Sequence, residues 1–144
     1  MTQKEIIDLL AEWVGQNIPP SWLGRVLEPT ALYSYVFYKL NAPEKSAILV
    51  KPYRIEWVRR DRQEARRVHL IDILIFGGSK KTGNVTAIMD GIEDLGNRLM
   101  LMPFEDVAVY GVETLSDGPA GYDPDALEET DTPFLGGIRI NVTV

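Results

Sequence analysis

Gly78-Ser79-Lys80-Lys81-Thr82-Gly83 has the glycine-to-glycine spacing of a phosphate-binding loop and lies between a strand-like and a helix-like run. Such a loop needs a Lys and then a Ser or Thr after the second glycine, one to reach the phosphates and the other to hold a metal ion. Asn84 and Val85 stand there, so the segment reads as a strand-to-helix turn. Asp123-Pro124-Asp125 offers oxygen ligands for a cation. A twelve-residue calcium loop would continue with Asp or Asn at 127 and Gly at 128; Leu127 and Glu128 make it a solvated acidic turn. The chain has no cysteine and one histidine, His69, which excludes thiol catalysis, thiolate metal sites and any site built on two imidazoles. His69 enters an apolar run and is expected to make a structural hydrogen bond. No spacing of Asp and Glu argues for a general acid–base pair. The residues therefore predict no catalytic site, no cofactor and no metal.

Charge is what remains. The net charge is −6, but residues 51–70 hold seven Lys and Arg against three acids, and residues 104–131 hold nine acids and no Lys or Arg. The basic stretch could meet phosphate backbones. The acidic balance of the whole chain and the scarcity of aromatics beyond Trp57 favour contact with an acidic protein surface instead. The split suits a head-to-tail contact between copies of one chain, which can close into a ring. The expected interface sets Arg59, Arg60, Arg62, Arg66 and Arg67 of one copy against Asp123, Asp125, Glu128 and Glu129 of the next. The alternative is a small-molecule- or nucleotide-binding α+β domain, or an enzyme of unknown type, with a pocket lined by Trp22, Tyr33 and Tyr35.

The elements that must carry these residues follow from periodicity. Thr2 and Glu5 have capping-box spacing. Ile6, Leu9, Leu10, Trp13 and Val14 then mark one face of a helix ending near Gly15, and Pro19-Pro20 prevents its continuation. Residues 21–30 read as loop and Tyr33–Leu40 as a strand. Ala47–Lys51 is a short apolar run that Pro52 places at a sheet edge or a strand end. Residues 55–76 read as a long projecting hairpin with a mobile, charged tip at Arg59–Arg67. Val85, Ile88, Met89, Ile92, Leu95, Leu99 and Met100 form the stripe of a second helix. Val107–Leu115 alternates as a strand, and Ile138, Ile140, Val142 and Val144 alternate as another. The expected core is Ile6, Leu10, Trp13, Ile73, Ile75, Ile88, Ile92, Leu95, Leu99, Ile140 and Val142. No apolar run is long enough to span a bilayer and the first residues lack signal-peptide order, so a cytoplasmic chain is expected. There Asn84-Val85-Thr86 and Asn141-Val142-Thr143 have no meaning as glycosylation sequons. Together these predict one α+β domain over 1–144: a single mixed or antiparallel sheet with two helices packed on one face.

The succession resembles the tail-terminator and tail-completion proteins of long-tailed bacteriophages and prophages. The likeness rests on the first helix, the apolar strand Ala47-Ile48-Leu49-Val50-Lys51-Pro52, the Arg-rich stretch, the strand Val68–Phe76 and the helix Val85–Met100. It continues with the acidic loop Tyr122-Asp123-Pro124-Asp125-Ala126-Leu127-Glu128-Glu129, then Phe134 and the alternating strand. It implies a structural subunit without enzymatic activity that assembles with itself into a ring, commonly of six. That ring caps the tail tube and meets the head connector, with no membrane and no specific nucleic-acid partner.

Overall fold

The structure, a computed structural model, describes residues 1–24, 26, 28–33, 47–76, 85–101, 107–115 and 134–143. Helix α1 spans Gln3–Gln16 and starts at the expected capping box. Thr2 N–H donates to Glu5 Oε2 at 2.8 Å, and Glu5 N–H donates to Thr2 Oγ1 at 3.2 Å. Asn17 closes the other end, its side-chain amide donating to the Trp13 carbonyl at 2.9 Å. One 3₁₀ turn, Pro20–Trp22, follows. The strands are β1 (Thr30–Ala31), β2 (Ala47–Arg59), β3 (Ala65–Phe76), β4 (Ala108–Leu115) and β5 (Phe134–Thr143), with α2 (Val85–Leu101) between β3 and β4. Among the described residues they form one mixed sheet in the order β1-β2-β3-β5-β4, β1 parallel to β2 and every other neighbouring pair antiparallel. This is the expected α+β class. Among the described residues no helix is long and apolar enough to cross a membrane.

Strand β2 departs from the expected short run, continuing through Pro52 to Arg59. Pro52 pairs with Ile71 of β3, and a register shift between Pro52 and Arg54 relieves the ladder there. On the other side β1 reaches only Leu49 and Val50, so Pro52 faces no β1 partner that would require its missing N–H. Ala47–Pro52 and Val68–Ile75 are buried with β5 beside β3, so this half of the β2–β3 pair is sheet interior rather than a free arm. The turn is also shorter than expected. Arg59, Arg66 and Arg67 lie in strands, and residues 60–64 connect them. The loop assigned to 21–30 contains a 3₁₀ turn and the start of β1, and the strand expected at Tyr33–Leu40 falls, beyond Tyr33, outside the described residues.

Both helices pack on one face. Ile6, Leu10, Trp13 and Val14 of α1 and Ile92, Leu95 and Leu99 of α2 share a cluster with Ile48, Val50, Ile71, Ile73, Ile75, Ile138, Ile140 and Val142 of the sheet. The expected core residues are all in it except Ile88, whose side chain lies outside the described ones. Each such burial contributes roughly 1.5–3 kcal/mol for a side chain of this size. Trp22 is fully buried in the cluster and lies on α2 where Gly91 presents bare backbone. A Cβ on Gly91 would fall 1.8 Å from the indole nitrogen, so glycine is required for that approach.

Candidate functional site

The arginines collect at one end of the β2–β3 pair. Arg59, Arg60, Arg62 and Arg67 are exposed and Arg66 is half-buried, together with Trp57 at 67% exposure and Val58 at 48%. Asp61 organises the turn: its Oδ1 accepts from the N–H groups of Gln63 (2.7 Å) and Glu64 (2.9 Å), and Arg59 Nε donates to its carbonyl at 3.2 Å. Arg67 donates to the Met1 carbonyl at 3.2 Å, tying this end to the start of α1. Trp57 and Arg67 are directly opposite across the ladder. The result is a cationic end with an indole and a valine in solvent, a composition suited to an acidic partner with some apolar surface. The acids expected to meet it, Asp123, Asp125, Glu128 and Glu129, lie outside the described residues, as do the Gly78–Gly83 segment and the turn at 123–128.

The face of the sheet away from the helices carries a row of charges across four strands. Lys51, Asp72, Arg139 and Glu113 stand opposite one another in successive registers. Lys51, Asp72 and Arg139 are buried, while the Glu113 side chain is 66% exposed. Arg139 grips Asp72 with two parallel bonds, Nε to Oδ1 at 2.7 Å and Nη2 to Oδ2 at 3.1 Å. Tyr53 stacks on the guanidinium, its ring centre 3.4 Å from Cζ. Nη1 stands 4.0 Å from Glu113 Oε1, beyond hydrogen-bond distance. Burial pulls the Arg139 pKa down, but the bonds to Asp72 and its charge more than offset this and hold it above the ordinary value. Burial pushes the Lys51 pKa down; Asp72 opposes that shift and Arg139 adds to it. At the Arg139–Glu113 end of this row opens a cleft of about 310 Å³ lined, among the described residues, by Tyr53, Arg54, Glu56, Val68, Leu70, Glu113, Arg139 and Asn141. Arg54 and Glu56 already pair at 2.6 Å.

Motif spacing did not reveal this row, because Asp72 and Arg139 are 67 residues apart. The signal was a lone Asp inside Val68–Phe76, a run apolar on both faces, since a buried carboxylate requires a partner. The expected pocket of Trp22, Tyr33 and Tyr35 does not assemble from the described residues. Trp22 is core, Tyr33 is 51% exposed and Tyr35 lies outside the described residues. Tyr33 instead donates to Asp8, which also pairs with Lys4 at 3.1 Å. These bonds, Tyr33 first and Lys4 second, lower the Asp8 pKa. His69 also departs from expectation. It is fully buried on the helix side of β3, and neither ring nitrogen has a hydrogen-bond partner among the described residues. Burial, then Arg67 and the N-terminal amine, lower its pKa and hold it neutral. In comparisons with known proteins, no family model and no curated protein matches the chain.

Proposed function

We propose that the protein is a structural subunit of a phage or prophage tail, of the tail-terminator or tail-completion kind, acting in the host cytoplasm during assembly and then in the virion. Copies join head to tail into a ring that caps the tail tube and meets the head connector. The observation that carries the reading is the cationic end of β2–β3, where Trp57 and Val58 stand in solvent beside Arg59, Arg60, Arg62 and Arg67 on a chain of net charge −6. Gathered like charges repel one another and exposed apolar side chains favour being covered, and an acidic neighbour with some apolar surface relieves both. The acid-rich 104–131 segment of a second copy has the complementary charge.

The test is sedimentation and negative-stain imaging of the full chain, alone and with the tail-tube protein. A closed ring that weakens with added salt is expected. Reversing Arg59, Arg60 and Arg62 to Glu should abolish that ring while leaving monomer melting nearly unchanged, because these side chains are exposed. A chain that stays monomeric in both settings, or a ring indifferent to the triple reversal, would overturn the reading.

A further inference from the structure

We propose that the cleft at the Arg139–Glu113 end of the charge row is a binding site for a carboxylate carried on a short apolar stem, received by the outer edge of Arg139. A guanidinium is planar and donates in its plane along two usable edges. Asp72 occupies the Nε–Nη2 edge, and Tyr53 covers the plane from one side. What remains is the Nη1 end, which has no hydrogen-bond partner among the described residues and whose nearest acid, Glu113, is 4.0 Å away. Arg139 is buried, so this donor is fixed in place and partly desolvated, which strengthens a charge-assisted bond to an incoming anion. The other lining groups fit the same ligand. Asn141 adds an amide, and Val68 and Leu70 give an apolar wall. Glu56 does not compete, being paired with Arg54. Glu113 is the competitor: an exposed carboxylate near the donor that a ligand must displace.

The ligand can be a free small carboxylate or the acidic side chain of a protein partner. The site rests on the cleft alone and does not depend on ring formation. The test titrates the isotopically labelled full chain with butyrate at constant ionic strength and follows backbone amides by NMR. Saturable shifts at Leu70, Glu113 and Asn141 are expected, with none from butyramide, which has the same stem without the charge. Glu113→Gln removes the competitor and should tighten butyrate binding by up to about fivefold, the scale of an exposed charge pair. Arg139→Lys keeps the charge without the second edge and should lose saturation. If that variant does not fold, Glu113→Gln, altered only at an exposed position, still decides. A capped peptide with one Glu that displaces butyrate points to a protein partner, and one that does not points to a small molecule; both support the site. Shifts that never saturate, that butyramide reproduces, or that Glu113→Gln leaves unchanged overturn it.

Discussion

The two faces of the sheet solve the same burial problem differently. Toward the helices the contacts of Ile48, Val50, Ile71, Ile73, Ile75, Ile138 and Ile140 are apolar and tolerant of direction. On the opposite face Leu49 and Leu74 are equally buried, but Lys51, Asp72 and Arg139 run through them. An apolar face rewards burial in many arrangements, whereas a two-bond fork between Asp72 and Arg139 is satisfied in one register only. The difference teaches that the helix side supplies most of the stabilisation while the charged side discriminates between alignments of β3 and β5.

Removing half of the fork should have the largest effect. Asp72→Ala strands a buried guanidinium and should cost roughly 3–5 kcal/mol in denaturant unfolding, whereas replacing both partners with apolar residues should recover much of that. A double variant as unstable as the single one would show that the pair is a source of stability in its own right. On the apolar face Leu95→Ala should cost about 2–5 kcal/mol, with the value set by how far the cavity collapses. A loss below about 0.5 kcal/mol would mean that α2 does not sit on the sheet as described. Gly91→Ala drives a methyl into the Trp22 indole and should cost about 1–3 kcal/mol by melting temperature. Trp22→Leu in the same background should return part of it.

The smallest effect is pH-dependent. His69 has its folded pKa lowered by burial first and then by Arg67 and the N-terminal amine. Its contribution is therefore fully present above the unfolded pKa, about 6.5. As pH falls below that value the unfolded chain takes up a proton that the folded protein refuses. Stability then drops by at most about 1.4 kcal/mol per pH unit until the folded histidine also protonates. Melting curves between pH 7.5 and 5.5 should fall for the native chain and be flatter for His69→Leu; equal slopes would remove His69 from the account.

Helix faces and the terminal alternation were legible because each is a local period: Ile6, Leu10 and Trp13 repeat at helical spacing, and Ile138, Ile140 and Val142 alternate. Pro52 was misleading because its lost donor matters only if a neighbouring strand reaches it, and β1 stops short. Trp22 looked like a loop aromatic because its partner is a backbone patch at Gly91, which no pattern of side chains reveals. Within the candidate site the arginines were visible as a charge run. The Asp72–Arg139 fork was not, since alternation alone assigns Arg139 to an outward position and nothing local says that the outward face is buried.

The strand order has a consequence for the making of the protein. β5 follows β4 in the chain yet lies between β3 and β4. A ribosome thus delivers β4 before the strand that must separate it from β3, and among the described residues β4 has no native neighbour to pair with until β5 has left the exit tunnel. For that interval its backbone is an open edge, and the β2–β3 pair, closed through a short local turn, is the template on which the rest waits to be laid.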